Sequence, residues 1–187
     1  MQTHKLAGSY MSFIKTSFSC ILLACIAEYA EAACLNIGNT SIPESTPTAN
    51  YLVHADGTLS APATGLMWKR CLEGQTLNNG ICEGTRAIYN WADALVAAEA
   101  TNFAGYSDWR MPNPKELLSI FDDRCVRPAL NLDLFPIVEE FGVWTATPTA
   151  IMRLDLYDEA WFFGSDGALR RFSELGSISI LLVRDLP

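Results

Sequence analysis

The sequence predicts an α+β domain. Strand-like runs come first, two helical patterns follow and more strand-like runs close the chain, and there is no alternating βαβ order and no internal repeat. The 187 residues are 50% hydrophobic and 18% charged, too apolar for a disordered chain and sized for one domain with an N-terminal appendage. A large multidomain enzyme is excluded. Thirteen basic residues face 21 acidic ones, a net charge of −8, and the longest basic runs are Lys69-Arg70 and Arg170-Arg171. Phosphate binding needs clustered cations, so nucleic acid is excluded as the main partner.

The appendage comes first. Lys5 and Lys15 precede the apolar run Phe18–Ala27, and Ala30-Glu31-Ala32 closes it with small residues two apart. That is the pattern of a secretory signal over residues 1–32, cut after Ala32. Met11 is an alternative start, because residues 11–32 form a complete signal. Leu22-Leu23-Ala24-Cys25 resembles a bacterial lipobox, which would make Cys25 a lipid-bearing N-terminus; a retained anchor or buried helix is the third reading. Cleavage removes Lys5, Lys15, Glu28 and Glu31 and leaves the charge at −8.

Four cysteines then remain, Cys34, Cys71, Cys82 and Cys125, which in an exported chain read as two disulfides with three pairings open. Cys71 and Cys82 flank Asn79-Gly80, a tight-turn pair, and a local staple there leaves Cys34 with Cys125. No C-x-x-C pair exists and His54 is the one histidine after the appendage, so no metal site is expected.

The elements follow in order. Residues 33–50, rich in Thr, Ser, Pro and Asn, read as an extended lead-in, and the domain proper runs over 51–187. Tyr51–Val53 and Thr58–Ser60 flank Ala55-Asp56-Gly57 as a hairpin, and Leu66–Lys69 is a short strand. From Ala87 to Ala100, Ile88, Trp91, Ala92, Leu95 and Ala98 recur at helical spacing. A second helix starts at Asn113-Pro114 with Glu116 completing a capping box, buries Leu117, Leu118, Ile120 and Phe121, and ends near Asp122 or Asp123. Four runs close the chain as strands: Gly142–Thr145, Ala160–Phe163, Ala168–Arg171 and Ile178–Arg184.

Chemistry-bearing residues are sparse. No Gly-x-Ser-x-Gly elbow accompanies His54, so a nucleophilic triad is not expected. Asp122-Asp123, Glu139-Glu140 and Asp155 with Asp158-Glu159 are carboxylate pairs of the kind glycoside hydrolysis uses, read here as a solvated acidic face. Asp155, Asp158, Glu159 and Asp166 match no EF-hand spacing for calcium. Trp68, Trp91 and Trp109 are expected in the core. Trp144 and Trp161, on late strands, are the aromatic candidates for contact with a ligand, together with Arg153 and Asp155. Asp108, Trp109 and Arg110 read as a structural ion-pair node, since an arginine fork suits a neighbouring carboxylate.

The chain resembles the Lcl C-terminal domain family of exported bacterial proteins. The resemblance rests on Asp56-Gly57-Thr58, Thr64–Cys71, Trp91, Gly105-Tyr-Ser-Asp-Trp-Arg-Met-Pro-Asn-Pro-Lys-Glu-Leu117, Cys125 before Pro128–Asn131, Phe135-Pro136, Val143–Pro148, Ala160-Trp161 and Val183-Arg184. It implies a mixed fold like those of C-type lectins and formylglycine-generating enzymes, with short twisted strands and two helices. Met111-Pro112-Asn113 lacks the carboxylate of calcium-dependent sugar sites, so calcium is not implied. The family's named adhesin binds sulfated glycosaminoglycans and carries collagen repeats; this chain has no Gly-x-y tract, and −8 opposes a sulfated partner. The reading is an exported lectin-like binding or adhesion module of the bacterial envelope, without catalytic residues or cofactor. Its partner is a glycan or an envelope protein met through Thr145–Glu159 and Gly164–Ala168, with membrane contact through the signal or Cys25 alone. The alternatives are a passive envelope or assembly component and a glycosidase-like or oxidase-like enzyme. Mass spectrometry of the exported protein is expected to find an N-terminus at Ala33; a diacylated Cys25 would replace that reading with the lipoprotein one.

Overall fold

The computed structural model describes residues 34–38, 40–149 and 159–187. The signal segment with Cys25, and Arg153, Asp155 and Asp158, lie outside the described residues.

The first sheet grows from two turns. Asp56 Oδ1 accepts from the backbone N–H and hydroxyl of Thr58 at 2.9 and 2.7 Å, and Gly57 takes φ +86°. A short acidic side chain followed by glycine is what this reversal needs. It joins β1 (Leu52–Val53) to β2 (Thr58–Ala61), and a second turn leads to β3 (Leu66–Lys69). Next comes the hairpin of β4 (Thr76–Asn78) and β5 (Ile81–Glu83), closed by Asn79 and Gly80 at φ +48° and +80°, the two positive values of a tight hairpin turn. The Cys71–Cys82 disulfide forms at this hairpin as its spacing suggests, and the remaining pair, Cys34–Cys125, forms as well.

Two helices follow, α1 (Trp91–Ala100) and α2 (Pro114–Leu118), each shorter than the sequence pattern. Asn90 caps α1 by accepting from Asp93 N–H, and the preceding Tyr89 is drawn instead into a bridge with Ile178. Ile88 is therefore exposed, Ala92 faces water, and Ala94 and Ala98 form the buried stripe. In α2 the Asn113 and Glu116 capping box is complete. Leu118 is exposed, and Ile120 and Phe121 are buried from the turn beyond, because Phe121 leaves the helix to bridge Leu130.

The antiparallel strands β6 (Gly142–Pro148), β7 (Glu159–Gly164) and β8 (Leu169–Ser173) form a separate three-stranded sheet in that order. The closing run becomes regular as β9 (Val183–Asp185), which pairs with β3 and completes the sheet β1-β2-β3-β9. Successive side chains of this run point to opposite faces. Leu181 and Val183 enter a cluster with Leu59, Trp68, Leu130 and Phe135, while Ile180 and Leu182 enter another with Met67, Ala94, Trp109 and Trp144. An unbroken apolar run is what a strand covered on both faces requires. Single bridges tie its backbone to Tyr89, Arg110 and Val143.

The lead-in is irregular but attached. Ile37 bridges Cys125, and Thr46 is buried with its N–H and hydroxyl donating to Asp122 Oδ2. Asp122 corrects the expectation of a solvated acidic pair: it is 0% exposed, and its other oxygen accepts from Arg124 N–H at 2.9 Å. A carboxylate out of water needs such donors. Trp68 and Trp109 lie in the core as expected, and Trp91, partly buried, donates its indole N–H to the Thr145 carbonyl at 2.8 Å.

Because Leu181 is 2% exposed between packed clusters, Leu181→Ala should lower unfolding free energy by about 2–5 kcal/mol in urea titration. The control Leu175→Ala, at a position 68% exposed, should change it by less than about 0.5 kcal/mol.

Candidate functional site

The segment Gly105–Glu116 builds a clasp. The Asp108 carboxylate takes both Nε and Nη2 of Arg184 at 2.7 and 2.9 Å, and the guanidinium lies over the Tyr106 ring at 3.9 Å. The bidentate bond to Arg184 holds the Asp108 carboxyl below its ordinary value. Two residues on, Arg110 binds both oxygens of Glu116 at 2.9 Å and Asp185 at 2.8 Å. Glu116 also accepts from Asn113 N–H at 2.7 Å, so one carboxylate closes the capping box and orients the arginine. Between the two ion pairs Trp109 is buried and donates to the Phe103 carbonyl. Through these bonds Asp108 and Arg110, on either side of the buried Trp109, fasten β9 to the segment before α2.

The remaining expected residues separate. Trp144 is 0% exposed, and its indole N–H donates to the Tyr89 carbonyl at 2.9 Å. Its place is the core, where the aromatic edges of Phe162 and Phe172 surround it, so it offers no ligand a surface. Trp161 is partly buried on the opposite face of β7 from Phe162, which stands across from Trp144. The two tryptophans therefore cannot line one site. Arg153 and Asp155 are outside the described residues. Of the acidic residues considered for calcium, Glu159 pairs with Arg171 and Asp166 with Arg170. Among the described residues no group of three His, Cys, Asp or Glu side chains could hold a metal.

The concavity lies elsewhere on the same sheet. Gly142 and Gly164 stand opposite each other on β6 and β7. A Cβ at Gly142 would come within 2.9 Å of Ile178 Cγ2 and 3.4 Å of the Phe162 ring, and one at Gly164 within 2.8 Å of Asp166 Oδ1 and closer still to Arg170. Two adjoining open cavities border this glycine pair. One, of about 310 Å³, is walled by Phe141, Phe162, Phe172, Ile88 and Ile178. The other, of about 420 Å³, is polar and bordered by Arg86, Arg127, Arg170, Glu140 and Asp166. Phe141, Gly142 and Arg86 belong to both, so the two make one groove.

Its rim charges are partly matched. Arg86 donates to Glu139 at 2.8 Å and to the Glu140 carbonyl at 2.7 Å. Arg170 grips both oxygens of Asp166 at 2.7 and 2.6 Å, which pulls the Asp166 carboxyl down to about 2. Sequence reasoning passed over this groove. Gly142, Phe172 and Arg127 are far apart in the chain, and the one signal was the expected contact turn Gly164–Ala168, whose Ser165 and Asp166 do border it.

Two disulfides set the compartment as oxidising and non-cytoplasmic, and among the described residues no helix is long and apolar enough to cross a membrane. The class is therefore a disulfide-stapled α+β domain with an ion-pair clasp and an open groove. Residues 57–184 match the model of the Lcl C-terminal domain, and the chain belongs to that family. No curated protein matches the chain.

A carboxyl lowered by its native contacts contributes stability that is complete above its unfolded value and is lost as pH falls through the folded one. For Asp166 that window runs from 3.8 down to about 2. Melting temperature should fall more steeply across this window in the natural protein than in Asp166→Asn; identical pH profiles would remove Asp166 as the source.

Proposed function

We propose that this protein is an exported, lectin-like binding module of the bacterial envelope, with the groove over Gly142 and Gly164 as its contact surface. The observation that carries the reading is the groove itself, an aromatic wall beside a rim of three arginines on a chain of charge −8. Phe172 is 44% exposed and Ile88 59%, so apolar surface stays open to solvent where a ligand could cover it. Open, shallow shape suits a ligand that projects from a larger surface. The Gly105–Glu116 clasp, by contrast, is structural, because its charged groups are committed to one another.

The enzyme alternative would need two carboxylates placed for acid and base. Glu140 and Asp166 border the polar cavity, yet Asp166 is held ionised by a bidentate guanidinium, which suits a strut better than a proton donor. On an array of glycans and envelope proteins, Gly142→Val and Phe172→Ala should each lower capture at least about tenfold while the melting transition remains cooperative. Capture unchanged in both folded variants overturns the groove as the contact surface.

A further inference from the structure

Resting on that reading, we infer that the groove takes the C-terminus of a polypeptide that ends in an apolar residue, with the last side chain among Phe141, Phe162 and Phe172 and the terminal carboxylate on Arg127. Arg127 borders the polar cavity and, unlike Arg86 and Arg170, makes no ion pair within the described residues. Its main chain is set with unusual care. It holds φ +48°, a region that residues other than glycine seldom enter, and its carbonyl accepts from the Asn36 side chain at 3.3 Å. The flanking Val126 N–H donates to the Asn36 carbonyl at 2.8 Å, and the Cys34–Cys125 disulfide anchors both strands of this contact. Backbone held in the left-handed region beside a cavity is a mark of a positioned side chain.

The facing carboxylates do not cancel this guanidinium. Asp166 is occupied by Arg170, Glu139 by Arg86, and Glu140 is exposed on the outer rim, where water screens it. A carboxylate arriving at Arg127 can take a two-point bond while the attached apolar group enters the neighbouring cavity. The strand order favours a polypeptide as the source. In β6-β7-β8 the outer edge of β8 has no paired strand among the described residues, and four of its five residues are exposed. Arg170 and Phe172, which border the two cavities, stand on that strand. An extended chain along the edge would find main-chain partners and deliver its last residue to the groove.

Calorimetric titration of the purified full-length exported chain tests this with three probes: N-acetyl-Ala-Ala-Phe as free acid, the same peptide as C-terminal amide, and 3-phenylpropionate. The free acid should bind at least about tenfold more tightly than the amide. Arg127→Gln should abolish that difference and Arg127→Lys keep most of it. Equal affinity of acid and amide for the natural protein overturns the proposal, as does a difference that survives Arg127→Gln. If 3-phenylpropionate matches the peptide, the polypeptide assignment falls. If no probe binds while array ligands are captured and are lost in Phe172→Ala, the carboxyl-terminus proposal falls and the binding module stands; if array capture is also insensitive, both fall.

Discussion

The structure depends on the double burial of its C-terminal run. Ile180 and Leu182 are buried in one hydrophobic cluster and Leu181 and Val183 in the other, so the run joins the two. Val183 pairs with Trp68 of β3 on one side and bridges Arg110 on the other, so the run also joins sheet to segment. Its partners lie more than seventy residues upstream at Arg110 and over a hundred at Trp68, which makes the closing contacts among the most non-local of the fold.

The ion-pair clasp serves this same closure. A strand buried on both faces has to be held in register, since a slip of one residue would exchange its two apolar sets. Arg184 on Asp108 and Asp185 on Arg110 directly follow Val183 in sequence and fix that register with charge geometry. The aromatic stacking of Arg184 on Tyr106 covers the guanidinium with an apolar plane. The most recognisable motif of the chain is thus accounted for by architecture, and the open groove lies on a part of the sheet where the sequence is bland.

The groove borders a crowded part of the sheet. Gly142 and Gly164 stand opposite each other where a Cβ would press on Ile178, Asp166 and Arg170, and Phe162 and Phe172, packed on Trp144, wall the adjoining cavity. The N-terminal lead-in contributes at a distance, because Asn36 and Cys34 shape the turn that carries Arg127. Disulfide, turn and rim arginine form one chain of cause from sequence to surface.

Local chemistry was legible before any fold was known. Asp56-Gly57 and Asn79-Gly80 announced their turns, Asn113-Pro114 with Glu116 announced a helix start, and Cys71 and Cys82 about a turn announced the local disulfide, because each depends on residues close in the chain; Cys34–Cys125, 91 residues apart in sequence, followed by elimination alone. Helix ends were less legible: Tyr89 and Phe121 leave helical patterns for bridges with distant partners. The site was illegible for the same reason. Which face of β6 and β7 holds Trp144 and which holds Trp161, whether Asp122 meets water or Thr46, and what presses on Gly142 all depend on residues that only tertiary packing brings together. The sequence alone determined the turns, the staples and the α+β class; the tertiary structure decided burial, and burial decided which side chains remain free to bind.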